Sequence, residues 1–113
     1  MTLNEYQRAA LRTSEPSTDG EAGEKQLCVF ALGIAGEAGE VADLVKKHIG
    51  HGHELSDEKL MKELGDVLWY VAAVAAQRGL SLEDVAAANI EKLLKRYPNG
   101  FSHEASRNRV ELT

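Results

Sequence analysis

Two pairs of acidic residues stand where a helical chain is expected to be apolar. The stretch "GEAGE" contains Glu37 and Glu40, and "ELGD" contains Glu63 and Asp66, with the same spacing in both pairs. Residues three apart lie close together on an α-helix, so each pair offers two carboxylates to one side of its helix. Carboxylate oxygens are ligands that Mg²⁺ prefers in proteins. If the two helices lie side by side, the spacing predicts a metal site.

The acidic pairs are also in phase with the apolar residues of their helices. At about 100° per residue, Glu37 and Glu63 each fall in the middle of an apolar stripe, and Glu40 and Asp66 fall on its border. The flanking apolar residues are Phe30, Ile34, Val41 and Leu44 around Glu37, and Leu60, Val67, Tyr70 and Val74 around Glu63.

Carboxylates that converge in this way need compensating positive charge, because an unpaired buried carboxylate would instead become protonated. Most lysines of the two helices map to the outer face, so we expect Mg²⁺, with Mn²⁺ as a substitute, bound by Glu37, Glu40, Glu63 and Asp66. A single acidic pair on a helix is more often a solvated edge, and it is the second pair that favours a metal. A di-iron site would require Glu-x-x-His, which does not occur at these acids.

A third group of polar residues lies in "AANIEKLLKRYP", where Asn89, Lys92 and Arg96 border an apolar face. Arginine binds phosphate oxygens through a planar fork and lysine as a point charge, so these residues are candidates for phosphate binding. The alternative is that cations near a helix C-terminus favour the helix dipole and solvent. Acids for a metal beside cations for phosphate indicate metal-assisted hydrolysis of a phosphoanhydride.

Four helices are predicted to position these residues. They span about 3–13, about 24–48, a segment between Ser56 as N-cap and Gly79, and a segment that begins at Ser81 and ends before Pro98. The short connection makes the second and third helices antiparallel neighbours. We expect one all-α, four-helix-bundle-like domain over 1–113, with its core at about 24–98 and a polar tail without helical period at 102–113.

Composition excludes several classes of protein. The chain has 113 residues, a formal charge of −5 and no run of basic residues, which disfavours nucleic acid as a partner. It shows no membrane span and no apolar core of a signal peptide, so we expect a cytoplasmic protein that does not bind membranes. The single cysteine, Cys28, cannot form an intrachain disulfide, and the simplest interpretation is a small core residue.

Other residues receive weaker interpretations. The histidines His48, His51 and His53 could bind zinc by spacing, but their glycine-bearing loop favours an ordinary exposed turn. Trp69 falls on the side of its helix away from the apolar stripe, which predicts exposure or a subunit contact. Tyr6, with Gln7, could face the site, although position alone does not establish this.

The combination "EAGE … ELGD" resembles the Glu-x-x-Glu … Glu-x-x-Asp signature of MazG-like, all-α nucleoside triphosphate pyrophosphohydrolases. The flanking segments "ALGIAGEAGEVADLVKK", "KELGDVLWYVAA" and "ANIEKLLKRYP" extend this resemblance over about 31–98. It implies a helical bundle that assembles as a homodimer or homotetramer, with Mg²⁺ held by the four acids. Asn89, Lys92 and Arg96 match the helix that approaches the substrate phosphates. Some relatives carry a further acid where this sequence has Gly36, so we expect Glu37 or Glu40 to orient a metal-activated water.

The resemblance also implies the reaction: a nucleoside triphosphate, NTP or dNTP, is cleaved between the α and β phosphates to a monophosphate and pyrophosphate, as in cleaning of nucleotide pools. Two alternatives stay open. The substrate could be another pyrophosphate-bearing compound such as phosphoribosyl-ATP, or the chain could be a catalytically silent helical interaction module.

Overall fold

The computed structural model describes residues 1–14 and 19–109. Within these residues the chain forms five α-helices and one short 3₁₀ turn. They are α1 (Leu3–Ala10), the 3₁₀ turn (Leu11–Thr13), α2 (Gly20–His51), α3 (Asp57–Gln77), α4 (Leu82–Arg96) and α5 (His103–Arg107). The all-α prediction is therefore confirmed, and all four predicted helices are present. Residues 15–18, which lie between the first two predicted helices, are outside the described residues.

Local sequence signals set where α3 and α4 begin. The Ser56 hydroxyl accepts a hydrogen bond from the Lys59 amide at 3.3 Å, and the Ser81 hydroxyl accepts one from the Asp84 amide at 3.0 Å. Each serine therefore satisfies one amide that the first helical turn leaves without a helical partner. Both N-caps are those predicted from the sequence.

Helix α2 is longer than predicted at both ends. It ends where Gly52 adopts a left-handed conformation with φ of +73°, which glycine tolerates better than other residues, and the Gly52 amide bonds the Lys47 carbonyl. With 32 residues, α2 runs about 48 Å and forms an antiparallel hairpin with α3. This hairpin is the frame on which both acidic pairs stand.

Helices α1 and α4 pack against the C-terminal half of α3, and Gln7 joins the three elements. The Gln7 side-chain amide donates to the carbonyls of Ala72 and Leu80, both at 3.2 Å, and its oxygen accepts from the Leu82 amide at 3.0 Å. Gln7 is buried, so these bonds occupy backbone groups that would otherwise be costly to bury. Its role is structural, and it does not face the acidic pairs.

The core of the described chain is small and lies at this junction. The buried apolar residues are Phe30, Ala72, Ala73, Ala75 and Leu82. Large apolar side chains elsewhere stay exposed, among them Leu32 (66%), Met61 (72%) and Leu64 (51%). The Cα radius of gyration is 17.1 Å, against about 13 Å for a compact domain of about this length. The helices thus form an open arrangement rather than a closed bundle.

Two further observations concern the chain as a whole. The predicted tail without helical period contains a short helix, α5, whose N-cap Ser102 hydroxyl accepts from the Ala105 amide at 3.0 Å. The tail is therefore partly helical at 103–107, and 110–113 lie outside the described residues. None of the helices in the described part combines the length and the apolar character needed to span a bilayer.

Candidate active site

The α2–α3 hairpin brings three of the four predicted acids together. Glu37, Glu63 and Asp66 each place a carboxylate oxygen within 4.8 Å of the others, and we call these three residues the acidic cluster. Glu37 and Glu63 are partly buried and Asp66 is exposed, as expected for residues in and beside an apolar stripe. Glu40 is exposed and lies outside this group. Assignment of all four acids as metal ligands stays a prediction.

Electrostatics within the cluster are unfavourable without a cation. Partial burial raises the pKa of Glu37, and the negative charges of Asp66, Glu63 and Glu40 raise it further. All the charged groups that contribute to this shift are carboxylates. Glu40 therefore acts on Glu37 through its charge although it lies outside the cluster. A bound divalent cation would reverse this effect, since it stabilises the ionised carboxylates.

Three lysines of the hairpin pair with acids outside the acidic cluster. Lys47 and Lys46 lie 2.8 Å and 3.3 Å from the two carboxylate oxygens of Asp43. The hydrogen bond from Lys47, and to a smaller extent the one from Lys46, lowers the pKa of Asp43. The hydrogen bond between Lys47 and Asp43 also raises the pKa of Lys47. Lys62 lies 3.4 Å from Glu58. These three lysines pair with Asp43 and Glu58 and not with the acidic cluster, although the negative charge of Glu40 also raises the pKa of Lys47. That most lysines of the two helices point away from the acids stays a prediction.

A cleft of about 370 Å³ adjoins the cluster and is lined by Glu37, Asp66, Trp69 and Tyr70. The sequence interpretation placed Trp69 on the far side of α3, and this was wrong. Its indole N–H donates to the Ala10 carbonyl at 2.9 Å and to the Thr13 hydroxyl at 3.1 Å. These contacts come from the first helical segment, which packs on a side of α3 that the α2–α3 pattern alone does not reveal. Trp69 is thus a site residue that sequence reasoning missed.

Behind the cleft, Phe30 completes an aromatic group with Trp69 and Tyr70. The Trp69 and Tyr70 rings are 5.0 Å apart and nearly perpendicular at 85°, and Phe30 meets the Trp69 ring edge-on at 5.7 Å. Phe30 is buried, whereas the other two rings are partly exposed. Edge-to-face packing of this kind is a favoured arrangement of aromatic side chains. The rings of Trp69 and Tyr70 therefore line the cleft beside the acids, and we call these two residues the aromatic wall.

The absence of a side chain at Gly33 leaves room for the Tyr70 ring. A Cβ atom at Gly33 would overlap the Tyr70 ring, while Gly36 and Gly39 have open space at the same position. Gly33 lies one turn before Glu37, and Tyr70 lies one turn after Asp66. The close approach of α2 and α3 beside the cluster therefore depends on this glycine.

Tyr6 reaches the same region from α1. Burial raises the pKa of the Tyr6 hydroxyl, and the negative charge of Asp66 raises it further. The expectation that Tyr6 could face the site agrees with this electrostatic contact, whereas Gln7 beside it serves the fold. No sequence signal distinguished the two residues, because both lie outside the acidic motif.

The remaining candidates lie elsewhere. Asn89, Lys92 and Arg96 stand on α4, which packs against α1 and α3; Asn89 is exposed and the two cations are partly buried. Their role in phosphate binding stays a prediction.

Cys28 is exposed, so its interpretation as a core residue was wrong.

All three histidines are exposed, as predicted, but His48 and His51 lie in the last turn of α2 and only His53 lies in the turn that follows it. The His48 Nδ1 atom lies 2.7 Å from the His53 carbonyl oxygen and fastens the turn after α2. Among the described residues, the groups that could hold a metal do not include these histidines.

The donor atoms of the acidic cluster fit a hard divalent cation. They are carboxylate oxygens only, which suit Mg²⁺ or Mn²⁺ better than metals that prefer nitrogen or sulfur. Three carboxylates also match the habit of Mg²⁺, which keeps several positions for water and substrate phosphate. Burial and the neighbouring negative charges raise the pKa of Glu37, and a bound cation would offset both effects.

Two known proteins are similar to this chain in sequence. The chain is 35% identical over 114 aligned positions to "Gene 37 protein" of Mycobacterium phage L5, covering 96% of this chain and all of the relative. It is 41% identical over 71 positions to "Uncharacterized protein YvdC" of Bacillus subtilis (strain 168), covering 54% of this chain and 66% of that relative. No solved structure matches the chain.

The family profile described as "MazG nucleotide pyrophosphohydrolase domain" matches residues 29–101. This segment is most of the chain and contains the acidic cluster, Glu40, the aromatic wall and α4. The earlier resemblance is confirmed, and the chain belongs to the MazG nucleotide pyrophosphohydrolase family.

Proposed function

We propose that this chain hydrolyses nucleoside triphosphates, with Mg²⁺, to a nucleoside monophosphate and pyrophosphate. The observation that carries the proposal is the acidic cluster, three carboxylates within 4.8 Å beside an open cleft in a MazG domain. Family membership supports nucleotide pyrophosphohydrolase activity in general. The triphosphate as substrate, the α–β position of cleavage and Mg²⁺ are the finer parts of the proposal.

The acidic residues would hold the cation from one side. Glu37, Glu63 and Asp66 supply oxygen ligands, and Glu40, one turn after Glu37, supplies a fourth ligand or orients the attacking water. When bound, the metal would neutralise charge on the phosphates and acidify a coordinated water. Hydrolysis adds one water across the bond between the α-phosphorus and its bridging oxygen, so the leaving group is pyrophosphate.

The phosphates also need cations from the protein. In the proposal, Lys92 and Arg96 on α4 contact phosphate oxygens, and Asn89 adds an amide donor. The charge pattern supports this role, because α4 carries cations at the border of an apolar face whereas α2 and α3 carry acids there.

We further propose that the chain works as a homodimer or homotetramer. Met61, Leu64 and Leu68 form an exposed apolar stripe on α3, at 72%, 51% and 38% exposure, and we call these residues the α3 stripe. Together with the small core and open shape, this stripe suits burial against a second copy. The proposed setting is the reducing cytoplasm, where the free thiol of Cys28 would persist.

A nucleotide panel assayed for two products tests the reaction. Purified protein with Mg²⁺ is expected to release pyrophosphate and monophosphate from one or more NTPs or dNTPs, and chelation by EDTA should stop release. Phosphoribosyl-ATP in the same panel examines the alternative substrate. Release of orthophosphate alone would overturn the proposed position of cleavage. No product from any compound would overturn the proposal as a whole and favour a silent helical module.

A further inference from the structure

We propose that Trp69 and Tyr70 form a stacking site for the base of the substrate, and that this site reads the flat shape of the base rather than its hydrogen-bonding edge. The inference rests on the proposed function and names the part of the substrate that the cleft holds. The wall lies in one cleft with Glu37 and Asp66, where the phosphate end would be anchored. A substrate held at the acids therefore has its remaining atoms within reach of two aromatic rings.

The arrangement of the two rings suits a planar ligand. They meet nearly perpendicular, at 85° with centroids 5.0 Å apart, so a flat ring stacked on one of them meets the other edge-on. Both contacts are favoured geometries between aromatic systems. The cleft of about 370 Å³ also falls within the size range of small-molecule sites.

The polar atom of Trp69 is already used by the protein. Its indole N–H donates to the Ala10 carbonyl and the Thr13 hydroxyl, so it does not take part in reading a base. These bonds fix the orientation of the ring relative to the first helical segment. The Tyr70 ring is fixed from the other side by its close fit over Gly33. Two preorganised aromatic ring faces bind every base by stacking and discriminate weakly between bases.

The fluorescence of the wild-type protein tests this directly, because Trp69 is the only tryptophan of the chain. The probes are α,β-methylene nucleoside triphosphates, which resist cleavage at that bond, and inorganic tripolyphosphate, which lacks a base. With Mg²⁺, a purine and a pyrimidine analogue should each change the Trp69 emission saturably, after correction with N-acetyltryptophanamide. Tripolyphosphate should inhibit turnover and leave the emission unchanged. Emission that is equally insensitive to all three, or equally changed by all three, would overturn the inference.

Kinetics on variants provide the second test. Trp69→Leu should raise KM about tenfold for purine and pyrimidine substrates alike, with kcat within about twofold, whereas Trp69→Phe should retain most of the affinity. The matched control is Phe101→Leu, which removes an exposed aromatic ring outside the cleft and should leave KM unchanged. An unchanged KM in a folded Trp69→Leu variant contradicts the inference. If this variant does not fold, the fluorescence test on the wild type decides instead.

The two proposals fail in distinguishable ways. If the wild type releases no pyrophosphate from any nucleotide, the proposed function falls, whatever Trp69 reports. If it releases pyrophosphate while Trp69 responds to none of the analogues, only the stacking site falls. Emission that changes with protein concentration instead of nucleotide would show that a second copy covers the wall, and this also contradicts the inference.

Discussion

The two ends of α3 are built on opposite principles. At the C-terminal end, Ala72, Ala73 and Ala75 are buried, and Gln7 satisfies three backbone groups around them. At the N-terminal end, Glu63 joins two other carboxylates while Leu64 stays half exposed. The C-terminal end of α3 is packed and hydrogen-bonded within this chain. The N-terminal end presents clustered carboxylates and exposed apolar surface, which suit a bound partner or ion.

This difference indicates that one end of α3 mainly serves stability and the other mainly serves function. The junction around Gln7 holds the helices by packing and satisfied hydrogen bonds, so changes there should lower stability first. The acidic cluster concentrates like charge in a partly buried place, so changes there should lower activity and leave stability equal or greater. Sites that bind ligands commonly carry such unfavourable features in the free state.

The largest expected effect is on activity at the N-terminal end of α3. Glu63→Gln removes one carboxylate of nearly the same size, and pyrophosphate release should fall more than about 100-fold. The melting temperature without Mg²⁺ should stay equal or rise, because one like charge leaves the cluster. Stopped or continuous pyrophosphate assays and a thermal melt measure the two outcomes.

The matched control for this variant is Glu58→Gln, on the same helix. Glu58 is exposed and pairs only with Lys62 among the described residues, so its removal should change neither activity nor stability much. Full activity in Glu63→Gln, or equal losses in both variants, would contradict the assignment of the cluster.

The second prediction concerns the α3 stripe. Leu64→Lys places a charge at the proposed contact and should weaken self-association about 100-fold, since a symmetric interface contains the change twice. Sedimentation velocity over a range of protein concentrations measures this. Leu80→Lys, a similarly exposed leucine between α3 and α4, is the control and should leave association unchanged. A wild-type chain that sediments as a monomer at all concentrations would refute the assembly.

The third prediction probes the C-terminal end of α3. Gln7→Ala leaves the Leu82 amide and two carbonyls without their partner, and the free energy of unfolding should fall by about 2 kcal/mol. Urea denaturation measures the loss. Asn4→Ala, which removes only an exposed bond from the Glu83 amide, should cost less than about 1 kcal/mol. Equal costs in the two variants would show that the junction is not what holds α1.

The fourth prediction uses a pair of glycines on α2. Gly33→Ala places a Cβ atom against the Tyr70 ring and should lower stability by about 1 kcal/mol even after the gain in helix propensity. Gly39→Ala meets open space and should raise stability by up to about 1 kcal/mol. Urea denaturation of both variants compares them. Stabilisation by both substitutions would show that the ring has room to move.

These regions also differ in how far the sequence predicted them. The caps Ser56 and Ser81 and the convergence of Glu37, Glu63 and Asp66 were predictable, because they depend on local chemistry and helical phase. The places of Gln7 and Trp69 were not. Their hydrogen bonds join residues 56 to 75 positions apart, and no helical period encodes which face of α3 the first helix will cover.

The same reason explains the errors at Trp69 and Cys28. Both interpretations assumed that α2 and α3 bury only the stripe between them. Helix α1 adds a second wall that covers Trp69, while the face of α2 that carries Cys28 receives no cover in the described chain. The acids of the cluster were easier to predict than the aromatic wall beside them, since the acids recur in a motif and the wall depends on tertiary packing.

The smallest expected effect concerns the pH dependence of α1. Glu5 closes a capping box with Thr2, and its hydrogen bonds with the Thr2 backbone and side chain lower the pKa of Glu5 below its ordinary value of 4.5. The folded state therefore binds this proton less tightly than the unfolded state does. The stability from this contact is present above about pH 4.5 and is lost as the pH falls through the lowered pKa.

Trp69 reports this change, since its indole N–H is bonded to the segment that α1 leads into. On acidification below pH 4.5, the Trp69 emission of the wild type should move towards that of a solvated indole. Glu5→Gln keeps an acceptor without a titrating charge, so its emission should change less over the same range. Identical titrations of the two proteins would mean that other carboxyls, and not the capping box, control how α1 lies against the wall of the cleft.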